Sequence, residues 1–435
     1  MGVGIKKRYI IGRRRMNTNI REVYELVRKK YANYGVNTVN VLNKLENIPI
    51  SINCWQGDDA VGFEIQDSIL SDSGILSTGS YYGKARNIDE LRSDIEKAFS
   101  LIPGKKKLNL HAMYGDFKGK YINRDQVLPE HFSSWIEWAK NLNVGIDFNP
   151  TLFSHPLARS GYTLSSSDEK VRKFWVEHVK RCREISNCIG KELKNTCICN
   201  IWIPDGSKDL TVSRLKHREI LLKSFDEIFN IPYPEKNMLD SLEGKLFGIG
   251  LEAYTVGSHE FYLSYAIKKD KIITFDTGHF HPTEIVSDKI SAVLPFVKGV
   301  LLHLSRGVRW DSDHVPILTE ELIAIMAEIV RADAFSKVYM STDLFDGSIN
   351  RIGAWVIGTR AVLKALLIAL LEPTHILKSY EESGNLFAKL GFMEDLKSMP
   401  YDTLWDYYCE SLGVPVDIKW IDEVIKYEKE VTSKR

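Results

Sequence analysis

Cysteine is scarce in this chain: there are six in 435 residues, and their spacing shows no disulfide framework. Cys197-x-Cys199 lies in the apolar run CICNIWI and has no second pair to complete a zinc site, so we expect a reduced, buried strand there. Such cysteine usage favours a reducing cytoplasm. Apolar runs of membrane-spanning length are also absent. AVLKALLIALLEP is too short and carries a lysine, so it predicts a buried helix.

An excess of charge of either sign is absent as well, because 58 lysines and arginines face 57 aspartates and glutamates. This balance argues against a polyanionic partner such as nucleic acid. The start, MGVGIKKRYIIGRRRM, is basic but lacks the apolar core and the cleavage site of a secretory signal. We expect residues 1–16 to be a disordered leader or expression remnant, with a nucleic-acid-binding arm as the alternative.

The chain does contain a regular alternation of short, β-prone apolar runs with longer amphipathic segments. Eight such units predict an α/β fold, a (β/α)8 TIM barrel. A doubly wound open sheet is the rival, but no glycine-rich phosphate motif follows an early strand. The candidate strands lie at residues 48–55, 107–113, 144–150, 197–204, 245–251, 271–278, 299–305 and 337–345.

The strand patterns stop after about residue 350. The run RIGAWVIGTRAVLKALLIALLEP predicts the last barrel helix, so we expect the barrel domain to cover residues 17–371. Residues 372–435 would then form a helical C-terminal extension. This extension is rich in aromatic residues, among them Trp405 and Trp420, which indicates packing on the barrel or on another subunit.

Side chains that can ligate metals follow several of the predicted strands. In a TIM barrel the chemistry lies at the C-terminal ends of the strands. Carboxylates and imidazoles crowded there would repel one another without cations, and they are too many for one ion, so we expect two divalent metals. Mixed Asp and His ligation suits Mn²⁺, Co²⁺, Zn²⁺ or Mg²⁺. The strand-end residues are His111, Asp147, Asn149, Asp276, His279, His303, Asp311, Asp313 and Asp343.

Each of these pieces has a plainer alternative. A lone strand-end histidine can be a core residue, Asp276-x-x-His279 can be a local cap, and WDSDH can be a solvated turn. Their joint occurrence at the ends of three successive strands favours the metal hypothesis. Judged by strand ends alone, Glu252 would be the carboxylate that the fifth strand contributes.

Aromatic side chains indicate the class of ligand. Trp55 and Trp202 end the first and fourth predicted strands, and Phe148 lies in the third. Flat apolar walls beside Asp, Asn and His side chains are typical of a sugar pocket. The alternative is that these rings only plug the barrel.

Long stretches of the chain resemble the L-rhamnose isomerase family, within the xylose isomerase superfamily. The similarity runs from about residue 20 to the C-terminus. Two departures are the leader and Gly307, where the family commonly has a proline. The resembling strings include SINCWQGDD, LIPGKKKLNLHAMY, FNPTLFSHPL, NIWIPDGSKDLTV, DTGHFHPTEIVSDKISA, SRGVRWDSDHV and the triplet Glu243-Gly244-Lys245.

The resemblance implies a set of site residues. The ligands of a structural metal would be Glu243, Asp276, His303 and Asp343, and those of a catalytic metal His279, Asp311 and Asp313. Contacts to the substrate would come from Lys245, His111, Trp55, Trp202 and Asp343. The resemblance selects Glu243 over Glu252, so either the fifth strand is shorter and earlier than drawn or Glu252 is only a neighbour.

The activity implied by the resemblance is the interconversion of L-rhamnose and L-rhamnulose, in rhamnose catabolism, by a cytoplasmic homotetramer that prefers Mn²⁺. We expect a metal-assisted hydride shift from C2 to C1, with an enediol route through a carboxylate base as the rival. The expected partner is a small sugar, with neither nucleic acid nor membrane. Two other classes remain open: a metal-dependent phosphodiesterase of the endonuclease type and a catalytically silent barrel.

Overall fold

The computed structural model describes residues 18–64, 79–248, 250–308 and 310–435. The predicted leader at residues 1–16 lies outside the described residues. The boundary expected between the barrel and the C-terminal extension, at residues 371 and 372, falls between a helix that ends at Leu370 and one that begins at Thr374.

Eight parallel strands close into a barrel, which confirms the predicted TIM-barrel fold. Each strand pairs with its neighbours in chain order, and the last closes on the first through Ser51 and Ser341. The strands are β1 (Ile50–Asn53), β2 (Lys106–His111), β3 (Gly145–Asn149), β4 (Cys197–Ile201), β5 (Met238–Glu243), β6 (Ile272–Asp276), β7 (Gly299–Leu304) and β8 (Val338–Thr342).

The prediction for the fifth strand was wrong. The strand is Met238–Glu243, and the candidate at residues 245–251 is a loop in its described part. The true strand reads MLDSLE, in which polar side chains interrupt the apolar pattern, whereas the loop KLFGIGL has the apolar content of a strand. Glycine at positions 248 and 250 weakens strand pairing there, and Gly250 has a φ of +83°.

Helices surround the barrel. The α-helices of the described residues are α1 (Thr18–Ala32), α2 (Thr38–Asn47), α3 (Ile88–Ser100), α4 (Ser133–Leu142), α5 (Glu169–Leu193), α6 (Arg214–Ile228), α7 (His259–Lys269), α8 (Val286–Val293), α9 (Glu320–Arg331), α10 (Arg351–Leu370), α11 (Thr374–Glu382), α12 (Leu386–Leu396), α13 (Tyr401–Ser411) and α14 (Lys419–Glu430). Short 3-10 helices lie at Cys54–Gly57, Ala112–Tyr114, Arg124–Gln126, Pro129–Phe132, Pro156–Ala158, Ala334–Ser336 and Thr432–Lys434. Two small two-stranded antiparallel sheets pair Gly206–Ser207 with Tyr254–Thr255 and, as a hairpin, Arg306–Val308 with Trp310–His314.

Local sequence signals explain where these helices begin and which face they bury. In α3 the side chain of Asn87 caps the helix by accepting hydrogen bonds from two backbone N–H groups of the first turn. The buried residues Leu91, Ile95 and Ala98 recur at the helical spacing and face the core. The helix therefore follows from its cap and its period.

The barrel interior changes character along the strands. At the amino-terminal end, Ile198, Ile272 and Leu301 form a small core of their own, packed by Leu239 and Tyr339. These residues come from β4 to β8, and only the inside of a closed barrel brings side chains of so many strands together. On the side of β4 to β8, this end of the barrel is therefore filled by apolar side chains, whereas β2 and β3 contribute the buried ion pair of Lys107 with Asp147.

Amide and hydroxyl side chains fill the middle of the barrel. Asn149 donates to Asn109 at 2.6 Å, and Asn200 donates to Asn149 at 3.2 Å. Thr274 donates to the amide oxygen of Asn200 at 2.7 Å. Asn200 also donates to Glu243 at 2.6 Å, so this network connects directly to the charged C-terminal end of the barrel.

Helix α10 forms part of the core that supports the barrel. Among the described helices it alone is long and apolar enough to cross a membrane, but 78% of that apolar window is buried inside the fold. It packs against α3, α9 and α13, in agreement with the predicted buried helix.

The C-terminal helices divide into a packed and an exposed part. In α13, Tyr407 stacks on Tyr24 of α1 with ring centroids 3.7 Å apart, and Trp405 lies under the guanidinium of Arg360. In contrast, α12 has no buried residue, and Phe387 is 89% exposed.

Candidate metal centre

Four ligating side chains converge at the C-terminal mouth of the barrel. Glu243 ends β5, Asp276 ends β6, His303 lies near the end of β7, and Asp343 follows β8. One ligand atom from each lies within 4.8 Å of the others, and all but Asp343 are buried. We call these residues the first ligand group.

A second ligand group consists of Asp276, His279 and Asp313, whose ligand atoms also lie within 4.8 Å of one another. His279 follows in the turn after β6, and Asp313 lies on the hairpin after β7. The carbonyl of Asp313 accepts a hydrogen bond from the backbone N–H of Phe345, which ties the hairpin to the segment after β8. The side chain of Asp311 lies outside the described residues, so its predicted role keeps the status of a prediction.

Asp276 belongs to both groups, and its carboxylate is held in one orientation. Its Oδ1 atom accepts hydrogen bonds from the backbone N–H of Gly278 at 2.7 Å and from the hydroxyl of Ser305 at 3.0 Å. Its buried Oδ2 atom has no hydrogen-bond partner in the part of the chain that the structure describes. A Cβ atom on Gly278 would lie 2.7 Å from the Ser305 hydroxyl, so glycine is needed for this close approach.

His303 lies between two carboxylates. Its Nδ1 atom is 3.0 Å from Asp343 and 3.2 Å from Glu243. These distances permit ion pairing, yet neither ring nitrogen makes a well-aligned hydrogen bond to any described residue. A buried polar group without such a bond is costly unless another species, such as a cation, satisfies it.

Burial and mutual repulsion perturb the ionisation of the first group. Burial raises the pKa of Asp276 well above its usual value, and the charges of Asp343, Asp313 and Glu243 raise it further. Burial alone would raise the pKa of Glu243 too, but the ring of His303 outweighs it and lowers that pKa to about 2. Burial lowers the pKa of His303, and the carboxylates of Glu243 and Asp343 reverse this, so the net shift is well upward.

His279 is oriented toward the second group by the backbone. Its Nδ1 atom lies 3.1 Å from the carbonyl of Gly244, which can only accept, so Nδ1 carries the proton. The Nε2 atom, which then bears the lone pair, lies on the side of Asp276 at 3.9 Å. A backbone carbonyl that sets the tautomer is the usual support of a metal-binding histidine.

These observations fit divalent cations. The donor set is carboxylate and imidazole without thiolate, Asp276 Oδ2 and His303 are unsatisfied, and the negative charges repel one another. The groups are thus compatible with a divalent metal-binding site.

Aromatic side chains line one side of this mouth. The indole N–H of Trp55 donates to Asp343 at 3.0 Å, and the Trp55 ring meets His111 edge-on at 4.9 Å. Farther round, Phe153 lies 5.5 Å from the His111 ring and 5.9 Å from that of Trp202. The four rings form a continuous wall beside the ligand groups.

Lys245 stands over this wall. Its ammonium group lies 5.0 Å from the centre of the Trp202 ring, at a distance typical of a cation–π contact. The charge is therefore held next to the aromatic surface and near the mouth of the barrel.

Phe148 is not part of the wall. It is fully buried in β3 and meets Phe132 edge-on at 4.9 Å. Because side chains alternate along a strand, Phe148 faces the helices while Asn149 faces the barrel interior. The phenylalanine that belongs to the wall is Phe153, in the loop after β3, which the strand pattern did not single out. Its signal was its place in the string FNPTLFSHPL.

Glu252, the carboxylate expected from strand ends alone, is exposed on the loop beyond β5 and belongs to neither ligand group. Since β5 ends at Glu243, that residue reaches the mouth instead. The correction of the fifth strand thus explains why Glu243 is the carboxylate in place.

Comparison with known proteins identifies related chains. The family described as L-rhamnose isomerase (RhaA) matches residues 18–435. An L-rhamnose isomerase of Bacteroides thetaiotaomicron is 52% identical, over 96% of this chain and 99% of the relative. Another, of Mannheimia succiniciproducens, is 52% identical over 96% of this chain and 100% of the relative. Among solved structures, an L-ribulose 3-epimerase is similar at 11% identity and a TM-score of 0.46, covering 74% of this chain and 95% of that one.

Proposed function

The chain belongs to the L-rhamnose isomerase family, and we propose that it interconverts L-rhamnose and L-rhamnulose at the two ligand groups of the barrel mouth. The enzyme is an aldose–ketose isomerase with a small sugar as its substrate. The observation that carries the proposal is the pair of ligand groups that share Asp276, in a chain of this family.

We assign two roles to the ligand groups. Glu243, Asp276, His303 and Asp343 would hold a structural metal, and His279, Asp313 and Asp311 a catalytic metal; Asp276 lies close enough to serve both. Bound there, divalent cations would polarise the sugar carbonyl and lower the pKa of a coordinated water. We propose Mn²⁺ as the preferred metal, with Co²⁺, Zn²⁺ or Mg²⁺ as substitutes.

The aromatic wall and Lys245 would position the open-chain sugar. Trp55, Trp202 and Phe153 offer flat apolar surfaces, and His111 and Lys245 offer polar groups beside them. Holding the reacting carbons in one orientation lowers the entropic part of the barrier. In the sugar, a hydride moves from C2 to C1 while the O2 proton passes to O1, which converts the aldose into the ketose.

We further propose a cytoplasmic homotetramer. Its support is the family resemblance together with the exposed apolar residues of α12, such as Phe387 and Leu390. A second copy of the chain that covers this helix would remove those side chains from water.

The central test is a ketose assay on chelator-treated protein, with and without added Mn²⁺, on L-rhamnose, D-xylose and L-mannose. We expect ketose only when Mn²⁺ is present, formed fastest from L-rhamnose. Faster turnover of another aldose would keep the chemistry and overturn the substrate. No ketose from any sugar, with metal demonstrably bound, would refute the isomerase and favour a phosphodiesterase, which can be assayed on the same sample.

Deuterium at C2 of the sugar distinguishes the two routes of hydrogen transfer. A hydride shift keeps the label in the ketose, at C1. Loss of the label to solvent would instead establish an enediol route through a carboxylate base, with the same substrate and product.

A further inference from the structure

Thr151, in the loop after β3, uses every polar atom it has. It is fully buried, its N–H donates to His178 at 3.0 Å, and its carbonyl accepts from Arg124 at 2.8 Å. Its hydroxyl oxygen accepts from the backbone N–H of Met113 at 3.3 Å and lies 3.1 Å from Nδ1 of His111. One residue thus connects His111, which lies in the aromatic wall, with a second buried histidine.

The tautomer of His178 follows from its partners. Its Nε2 atom faces the N–H of Thr151, which can only donate, so Nε2 carries the lone pair. Its Nδ1 atom lies 2.9 Å from the carbonyl of Arg124, which can only accept, so Nδ1 carries the proton. His178 is therefore an Nδ1–H histidine, fixed by two backbone groups.

The hydroxyl of Thr151 decides the tautomer of His111 in the same way. The oxygen already accepts from Met113, and no other acceptor within the described ranges lies in reach of its proton except Nδ1 of His111. If Nδ1 of His111 were protonated, the oxygen would face two donors and its own proton would be buried without an acceptor. Such a group is disfavoured in a site that water does not reach. The hydroxyl therefore donates to Nδ1.

We propose that Thr151 is a positioning residue that holds His111 as the Nε2–H tautomer, so that His111 offers the sugar a hydrogen-bond donor and no basic nitrogen. The role toward the sugar rests on the proposed isomerase function. The Nε2–H group of His111 then donates a hydrogen bond to a lone pair of a substrate oxygen, and His111 takes no proton in the reaction. The O2 proton must be accepted elsewhere in the site.

The surroundings of His111 keep the ring neutral. Burial lowers its pKa to about 3, an effect that the charge of Asp343 offsets only in part. The rings of Trp55 and Phe153 meet it edge-on and fix its plane. A neutral ring with one occupied nitrogen presents a single group, the Nε2–H, to the pocket.

The test is nitrogen NMR on sugar-free protein with ¹⁵N-labelled histidine, in which chemical shifts separate protonated from unprotonated ring nitrogens. The His111→Gln variant identifies the signals of His111. We expect Nε2 of His111 to be protonated and Nδ1 unprotonated, with His178 as an internal reference of the opposite tautomer. A protonated Nδ1 on His111 would overturn the inference, whether or not the protein proves to be an isomerase.

Two variants supply the kinetic readout. Thr151→Ser keeps the hydroxyl, and Thr151→Val keeps the shape without it. We expect kcat/KM for L-rhamnose to fall about tenfold in Thr151→Val, with a mixed His111 tautomer, and to stay within about twofold of the parent in Thr151→Ser. An unchanged tautomer and kcat/KM in folded Thr151→Val would refute the role. If that variant does not fold, the spectra of the parent and of Thr151→Ser still decide.

Discussion

Strand β5 carries two buried carboxylates that are neutralised in different ways. Asp240 faces the helices and receives Arg183 at 2.7 and 3.0 Å and Lys271 at 2.8 Å. Glu243, three residues later, faces the barrel mouth, where Asn200 is its neutral donor and the Nδ1 atoms of His303 and His279 each lie 3.2 Å away. A carboxylate enclosed by cationic side chains holds the fold together, whereas carboxylates that outnumber the imidazoles beside them are suited to a cation from outside.

The physical reason is the cost of burying charge. Around Asp240 the protein supplies the positive charge itself, and Nη1 of Arg183 also donates to the carbonyls of Ile228 and Ile231. At the mouth the negative charges exceed the positive ones, and the pKa of Asp276 rises as a result of burial and of its acidic neighbours. The repulsion among these carboxylates is unfavourable, and a bound divalent metal would relieve it.

Removing the carboxylate at the mouth should have the largest effect on activity. We expect Glu243→Gln to lower kcat/KM at least about a thousandfold while the protein stays folded, because the proposed structural metal would lose a ligand. Ketose formation measures kcat/KM, and circular dichroism shows whether the variant is folded. The matched control is Glu252→Gln, on the exposed loop, which should keep normal activity. Normal activity in Glu243→Gln would contradict the distinction between a metal-binding Glu243 and a stabilising Asp240.

Removing the carboxylate on the helix side should act on stability instead. Asp240→Asn leaves Arg183 and Lys271 without an opposing charge and with one acceptor oxygen fewer, and we expect a loss of about 3 kcal/mol of unfolding free energy with kcat of the folded fraction unchanged. Denaturant midpoints provide the measurement. The control is Asp226→Asn, which breaks the exposed pair with Lys269 at 2.8 Å and should cost less than about 1 kcal/mol. An equal loss in both would contradict the role of burial.

A methyl group at the mouth sharpens the comparison further. In Gly278→Ala the new Cβ must displace Ser305 or Asp276, so we expect Mn²⁺ affinity to fall about 10- to 100-fold. Calorimetric titration gives the affinity. Gly391→Ala, where no described atom lies within 4 Å of the added Cβ, is the control and should leave metal binding unchanged. A Mn²⁺ affinity equal to that of the parent in Gly278→Ala would mean that the close approach of residue 278 to Ser305 and Asp276 is not needed for metal binding.

Proton release on metal binding is the mildest of these tests. Since the pKa of Asp276 and that of His303 are raised in the metal-free protein, both groups hold protons that a metal must displace. Affinity for Mn²⁺ should therefore rise with pH, by about tenfold per pH unit for each proton released. Calorimetry in buffers of different ionisation enthalpy counts the protons. An affinity for Mn²⁺ that does not change with pH would show that Asp276 and His303 do not hold protons in the metal-free protein.

Most of the barrel could be predicted because its strands carry a local signal. Six of the eight candidate runs contain the whole observed strand, and the run at 107–113 misses only the first residue of β2, Lys106. A strand enclosed between a helix layer and a filled interior is rich in apolar residues, which is why the pattern located them. The fifth failed because β5 bears Asp240, Ser241 and Glu243, whose burial is compensated only by residues distant in sequence. No local pattern reports such partners.

The candidate site was predictable in its residue types and less so in its geometry. Asp276 and His279 could be located because C-terminal strand ends of a parallel barrel must meet. Only the tertiary structure shows that Asp276 belongs to both ligand groups, and that Phe153 rather than Phe148 lies beside His111. Phe148 is turned away because one residue of register places a side chain on the other face of a strand.

What the sequence by itself determined is the alternation of strands and helices, the family to which the chain belongs, and the strand ends that bear ligating side chains. The tertiary structure alone decided that Asp276 belongs to both ligand groups, and that the hydroxyl of Thr151 meets His111. The physical reason is range. Periodicity and capping act between residues a few positions apart, whereas charge compensation and hydrogen-bond direction depend on atoms that meet only after the barrel closes.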